Sequence, residues 1–350
     1  MPGADYVKLA DTLAADIAAG RLKAGERLLP QRTFAYQHDI AVSTASRVYA
    51  ELVRRGLAAG EVGRGTYILG NAPRPVLPSE VTDSRIDLEF NFPILPAQSD
   101  LMAQTLTDLA RSNALAGALR PVAPNGTAAA RDVAAQFLSH EGWRPKSEGL
   151  FFTGNGRQAI ASAIGALVPV GGRLGVEAVT YPVVKANARR LGVALVPLAM
   201  DEAGLRPDAI EKAHREGALS AVYLQPVLHN PLGISLSPAR RQDIIKVARK
   251  LDLMLVEDAV YRFLCDDPPL TALAPDQCIL IDSLSKRIAP GLATGFICAP
   301  VGLRERLMTS VRSGGWGASG RTTYRRGFGP IGSRVLAGKR PFASGEAASV

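Results

Sequence analysis

The stretch Ile281–Gly295 (Ile-Asp-Ser-Leu-Ser-Lys-Arg-Ile-Ala-Pro-Gly-Leu-Ala-Thr-Gly) holds the residue best suited to covalent chemistry, Lys286. It follows an apolar run, Cys278-Ile279-Leu280-Ile281, that reads as a buried strand. That strand is expected to end in Asp282, Ser283 and Ser285, with Pro290-Gly291 as turn chemistry beyond. The loop past the end of a buried α/β strand is where ligands bind. An amine held there loses water, its pKa falls, and it becomes a nucleophile able to form a Schiff base. Taken alone, one Lys among 41 basic residues reads first as a solvated surface charge. What lies upstream decides.

Polar residues stand at the ends of other apolar runs. Thr153-Gly154-Asn155-Gly156-Arg157-Gln158 opens an apolar helix, whose first backbone N–H groups could hold a phosphate or could form a plain strand-to-helix turn. Asn230-Pro231-Leu232-Gly233 reads as a turn. Asp258, with Tyr261 three residues on, reads as a helix N-cap.

The elements that position these residues begin near Ile86. Strand-length runs at Leu150–Thr153, Arg173–Glu177, Ala194–Leu198, Ala221–Gln225, Leu253–Glu257, Cys278–Ile281 and Gly295–Ala299 alternate with helical stretches. Such alternation predicts an α/β domain with a mostly parallel sheet. Gly70–Arg85, with Pro73, Pro75 and Pro78 and no hydrophobic period, reads as a spacer.

The first seventy residues have another texture. Tyr6, Leu9, Ala10, Leu13 and Ile17 form a helical stripe ended by Gly20. Leu22–Pro30 reads as an extended turn, and a short helix is expected over about Gln31–His38. Ser43 is a good N-cap for a third helix, Thr44–Arg55, that would bury Ala45, Val48, Tyr49 and Leu52. Leu57–Leu69, with Gly60, Gly63 and Gly65, reads as a hairpin. Three helices and a hairpin make a winged helix-turn-helix. Ser43, Thr44, Ser46 and Arg47 then lie where a recognition helix meets double-stranded DNA, with Arg32 on the helix before and Arg64 at the wing tip. The other reading is an amphipathic cap carrying ordinary surface arginines.

The chain has 350 residues, 47% of them hydrophobic and 21% charged, which suits two soluble domains. Cys265, Cys278 and Cys298 show no metal or CxxC spacing, so a cytoplasmic setting and no metal are expected. No apolar run reaches membrane-spanning length, and the start lacks an apolar signal core. The net charge of +9 is unevenly spread. Residues 311–350 hold seven basic residues and one acid, a net of +6, whereas residues 1–70 hold nine and seven, a net of +2. Bulk charge is therefore no argument for DNA; the arrangement is.

Residues 5–69 resemble the GntR family of bacterial regulators, through Ala19-Gly20-Arg21-Leu22-Lys23-Ala24-Gly25-Glu26-Arg27-Leu28, Arg32, Val42-Ser43-Thr44, Leu52 with Gly56-Leu57, and Gly63-Arg64-Gly65-Thr66-Tyr67. The resemblance implies that Arg32, Thr44, Arg47 and Gly65 approach DNA. Where the family has Pro then Ser, this chain has Leu29 then Pro30, which bears on how the second helix is capped.

Residues 86–308 resemble the fold-type I aminotransferases, which use pyridoxal phosphate. The matches are the Gly156 turn, Tyr181-Pro182, Asn230-Pro231 with Gly233, Asp258 with Tyr261, and Ser283, Ser285 and Lys286 with Pro290-Gly291-Leu292. The resemblance implies that Lys286 carries the cofactor as an aldimine and that Asp258 faces the pyridine nitrogen. Asn230 and Tyr261 would bond the ring hydroxyl, and Tyr181 would stack on the ring. Asn155, Gly156, Arg157, Ser283 and Ser285 would surround the phosphate. The family's arginine seven residues after the lysine is Ala293 here, leaving Arg157 or Arg287 to substitute.

The resemblance fades after about Ser313. The rest, rich in Gly, Arg and Ser, is expected to be a disordered tail over 313–350, as in a C-terminally truncated or frameshifted product. The expected domains are thus a winged helix-turn-helix over 1–70, a linker over 71–85 and an aminotransferase-like domain over 86–312. That arrangement resembles the MocR regulators. It implies a homodimeric transcription factor whose large domain binds pyridoxal phosphate and an amino-compound effector. The alternatives are an aminotransferase with an attached DNA-binding head, and a damaged product.

Overall fold

The computed structural model describes residues 5–23, 25–61, 65–69, 102, 103, 107, 122–140 and 142–314. Arg64, the linker expected over 71–85 and the tail beyond Gly314 lie outside the described residues. The chain divides into two compact units, Met1–Leu77 and Pro78–Val350.

The first unit holds α1 (Asp5–Ala18), α2 (Gln31–Gln37), α3 (Val42–Arg54) and the strands β1 (Ala58–Glu61) and β2 (Gly65–Ile68). The two strands pair antiparallel, from Ala58 opposite Ile68 to Glu61 opposite Gly65. The stripe on α1 packs with Phe34 and Ala35 of α2, with Ala45, Val48, Tyr49 and Leu52 of α3, and with Ala58 and Ile68 of the hairpin. This is the winged helix-turn-helix.

Three local details differ from expectation. Ser43 is not the N-cap of α3. Ala41 is, and its carbonyl accepts from the N–H groups of Thr44 and Ala45 at 2.9 and 3.1 Å, so Ser43 lies inside the first turn. Pro30 holds the N-cap position of α2 with no side-chain cap. The entry is fixed instead by the Tyr49 hydroxyl, which donates to the Leu29 carbonyl at 2.7 Å. The turn before it is also more ordered than its composition implied. The Leu28 N–H donates to the Thr66 carbonyl and the Ile68 N–H to the Glu26 carbonyl, each at 2.8 Å, so the segment edges the wing and satisfies its own backbone.

The second unit runs α4 (Ala128–Leu138), β3 (Leu150–Thr153), α5 (Gly156–Leu167), β4 (Arg173–Glu177), α6 (Pro182–Arg190), β5 (Ala194–Leu198), β6 (Met200–Asp201), β7 (Gly204–Leu205), α7 (Pro207–Glu216), β8 (Ala221–Leu224), α8 (Pro238–Lys250), β9 (Met254–Asp258), α9 (Leu270–Leu273), β10 (Cys278–Ser283), α10 (Leu284–Arg287), β11 (Gly295–Cys298) and α11 (Arg304–Ser313). Seven strands form one sheet in the order β3-β11-β10-β9-β8-β4-β5. Its pairings are parallel except that β11 opposes both β10 and β3.

Near-continuous apolar strands are what a sheet covered on both faces requires. One face, with Phe151, Val176, Tyr223, Val256 and Ile281, packs on α5, α6 and α11. The other, with Val222, Leu224, Leu255, Leu280 and Phe296, packs on α4, α7, α8 and α9. The alanines of α5 are buried nearly all round, so it lies close beneath the sheet. Among the described residues no helix is long and apolar enough to cross a membrane.

Candidate functional site

The sheet aligns the expected residues at one edge. Thr153 lies opposite Gly295, Gly295 opposite Ser283, and Ile281 opposite Asp258. Gly295 is forced by crowding: a side chain there would run into the Asn155 carbonyl and the Thr153 hydroxyl. Strand β10 runs further than the sequence implied, because pairing with β11 carries it through Asp282 and Ser283, both buried. Ser285 and Lys286 follow on the single turn α10, half-buried.

Lys286 Nζ lies 5.7 Å from the centre of the Tyr261 ring. Burial pushes its pKa down, Arg157 adds to that, and the carboxylate of Asp258 acts against it. Lys286, Arg157 and Asp258 are therefore within electrical reach of one another. Tyr181, just before α6, bonds to the Arg157 side chain, and burial raises its hydroxyl pKa.

Asp258 ends β9 and is 3% exposed. It is not a helix N-cap. One oxygen, Oδ2, accepts from the Tyr223 hydroxyl at 2.5 Å and from Gln225 Nε2 at 3.3 Å, and Oδ1 accepts from the Val260 N–H at 3.3 Å. Burial, with Asp282 adding to it, pushes its carboxyl up from 3.8 to about 6, against the pull of Tyr223, Val260 and Gln225. The Asn230 N–H donates to Gln225 Oε1 at 3.1 Å.

Asn155 caps α5, its side chain accepting from the Gln158 N–H at 2.8 Å, so the turn reading of this stretch holds. The same turn still offers a helix N-terminus, which favours an anion. It also offers a narrow cradle, because a Cβ on Gly156 would lie 3.3 Å from Ser283 Cβ. Arg157 is exposed at this end, whereas Ala293 is exposed and supplies no cation.

The sequence did not mark Tyr223, Gln225, Glu177 or His229 as parts of this edge. Period-two spacing puts Tyr223 and Gln225 on one side of β8, the signal that could have found them. Glu177 and His229 are both buried, with His229 Nε2 3.2 Å from Glu177 Oε2.

These residues fit pyridoxal phosphate. The set supplies an amine of lowered pKa, a buried carboxylate, an aromatic face and an anion cradle. Two buried polar atoms without a hydrogen-bond partner among the described residues, Thr180 Oγ1 and His229 Nδ1, belong to the residues that precede Tyr181 and Asn230 in the chain.

In the first unit Arg32, Ser43 and Arg47 are exposed, and Thr44 and Gly65 are half-buried. Ser43, Thr44 and Arg47 occupy the first turns of α3. At the other end of that helix Arg54 and Arg55 pair with Glu51, and Arg55 also with Asp11. Among the described residues Arg32 on α2 and Arg47 in the second turn of α3 enter no ion pair, so their charges are left for phosphates.

Comparison with known proteins agrees with both units. The family described as aminotransferase class I and II matches residues 86–319. The uncharacterized HTH-type transcriptional regulator YdeF of Bacillus subtilis is 30% identical over 304 residues, 86% of this chain and 66% of that protein. The vitamin B6 salvage pathway transcriptional repressor PtsJ of Salmonella typhimurium is 28% identical over 311 residues, 87% of this chain and 70% of that protein. The chain spans about two thirds of the length of these relatives. An archaeal alanine:glyoxylate aminotransferase of known structure superposes with a TM-score of 0.62 at 21% identity, covering 69% of this chain and 62% of that one, which shows the fold.

Proposed function

The chain belongs to the class I and II aminotransferase family, and from that premise we propose that it is a DNA-binding transcriptional regulator whose aminotransferase-like domain binds pyridoxal phosphate. The observation that carries this reading is the pairing, in one chain, of a winged helix bearing unneutralised arginines with a Lys286–Asp258 site. Its similarity to curated HTH-type regulators runs through most of its length. The reader is residues 1–70, joined through 71–85 to the cofactor-binding domain, 86–312.

When bound, pyridoxal phosphate supplies an aldehyde on an electron-withdrawing ring. Lys286 offers the amine that joins it. Asp258 would hold a proton on the pyridine nitrogen, Asn230 and Tyr261 would bond the ring hydroxyl, and Tyr181 would cover the ring. Asn155, Gly156, Arg157, Ser283 and Ser285 hold the phosphate. A small amino compound competing with Lys286 is the effector, and its presence biases how two heads of a homodimer meet two half-sites.

Two measurements test this. Purified protein mixed with pyridoxal phosphate gains a visible absorbance band that Lys286→Ala lacks. A gel shift with the DNA upstream of its own gene gives a salt-sensitive, sequence-selective complex. Absence of the band removes the cofactor, and absence of the complex removes the regulator. The lowered Lys286 pKa opposite Asp258 would also serve an aminotransferase. Spectral conversion of the bound cofactor by an amino acid panel would mark that second reading.

A further inference from the structure

Strand β8 leads into two polar side chains two residues apart, Tyr223 with no exposed surface and Gln225 with 3%. They converge on a single carboxylate oxygen, Oδ2 of Asp258, with the Tyr223 hydroxyl at 2.5 Å and Gln225 Nε2 at 3.3 Å. The other oxygen, Oδ1, takes only a backbone N–H among the described residues, that of Val260, at 3.3 Å. The far side of the Gln225 amide is also used, since Oε1 accepts from the Asn230 N–H at 3.1 Å. The backbone of Gln225 is pinned in turn, its N–H donating to Glu177 Oε2 at 3.0 Å. One buried amide therefore links Asp258, expected at the ring nitrogen, to Asn230, expected at the ring hydroxyl two ring positions away.

We propose that Tyr223 and Gln225 are positioning residues for the cofactor ring. Together they anchor Oδ2 of Asp258 so that Oδ1 meets the ring nitrogen, while Gln225 sets Asn230 for the ring hydroxyl. This rests on the pyridoxal phosphate reading above. The physical need is plain. Burial pushes the Asp258 carboxyl towards its neutral form, and a neutral carboxyl cannot hold a pyridinium. Two donors on one oxygen favour the charged form and fix the carboxylate plane. A buried glutamine with both ends bonded cannot swing without losing both partners. The other charged or titratable groups acting on Asp258 are Asp282 on β10, Lys286 on α10 and Tyr181 ahead of α6.

The test uses the full chain titrated with pyridoxal phosphate, reading cofactor affinity and the pH midpoint of the visible band. Tyr223→Phe removes one oxygen, and Gln225→Leu removes both amide bonds. Each is expected to weaken binding roughly tenfold and to move the midpoint by about one pH unit. Thr271→Val is the control for mere structural damage. It deletes a buried hydrogen bond to Glu257, which faces the side of β9 opposite to Asp258, and is expected to lower the melting temperature with the midpoint unmoved. Wild-type affinity and midpoint in Tyr223→Phe and Gln225→Leu would overturn the proposal while leaving the cofactor reading intact. No band in the wild-type protein would overturn both. If Gln225→Leu does not fold, Tyr223→Phe decides alone.

Discussion

Arg287 Nη2 lies 2.6 Å from Oδ2 of Asp282, a carboxylate only 1% exposed. The guanidinium also stands over two rings, 5.1 Å from Phe137 and 5.5 Å from Phe263, and Asp282 Oδ1 accepts the Ser283 N–H at 2.7 Å. Arg287 is thus committed to holding the strand end beneath Lys286. Of the two arginines that could replace the cation missing at Ala293, this leaves Arg157.

The two arginines should therefore separate in their effects. Arg287→Ala strands a buried carboxylate and is expected to cost about 3–5 kcal/mol in urea unfolding. Arg157→Ala, at an exposed position, should change stability by about 0.5 kcal/mol or less. It should weaken pyridoxal phosphate binding about tenfold, since it removes a charge-assisted contact to phosphate. The opposite pattern would return the phosphate role to Arg287.

Asp258 carries a stability cost that its function explains. Its folded pKa, about 6, lies above the ordinary 3.8. The native state therefore binds the extra proton in the window between those values, and stability falls as pH rises through it. The penalty above the window is on the order of 3 kcal/mol. Cofactor-free Asp258→Asn is accordingly expected to melt higher than the wild type at pH 8, with the gap closing towards pH 4. The same variant should bind pyridoxal phosphate far more weakly. Melting curves across pH and cofactor titrations check both halves, and a gap that widens on acidification would contradict the first.

Much of this was legible before any fold was in hand, for identifiable reasons. The strands announced themselves as apolar runs because a sheet covered on both faces needs them. Lys286, Asp258 and Asn230 each read singly as a surface charge, an N-cap and a turn, and stood out only as an ordered set that resembles the fold-type I aminotransferases. Asp282 and Ser283 were expected only as the polar end of the strand run Cys278–Ile281, and their full place in β10 depends on pairing with Phe296 and Gly295 of β11. Ser43 was misread as a cap because local chemistry favours serine there, whereas Ala41 already supplies the accepting carbonyl. Gln225 was missed as a site residue: its two-residue spacing from Tyr223 was visible, but its partner Asp258 lies 33 residues away and is brought to it by the β8–β9 pairing.

The wing depends on Gly65. Its φ of +120° is a conformation that residues with a side chain rarely adopt. A Cβ there would also lie 2.6 Å from Arg27 Nε, although that flexible side chain can move aside. Gly65→Ala should therefore cost about 1–3 kcal/mol through backbone strain. A thermal melt of the full chain should show the loss, and gel shifts should show weakened DNA binding with the pyridoxal phosphate band unchanged. A loss of the band along with DNA binding would mean the substitution acts beyond the wing.

The arginines of α3 offer the sharpest test of which end of that helix reads DNA. Arg54 lies near the C-terminal end, away from the expected DNA-facing turns, and bonds Glu51 on the surface. Arg47, in the second turn, is exposed and enters no ion pair among the described residues. Neutralising a phosphate releases counterions, so each such contact contributes about one unit to the slope of log affinity against log salt. Arg47→Ala should lower that slope by about one and weaken binding to the operator. Arg54→Ala should leave the slope unchanged, because its loss frees no phosphate contact. Equal slopes for Arg47→Ala and the wild type would show that the N-terminal end of α3 does not face DNA, whatever the fold of the head.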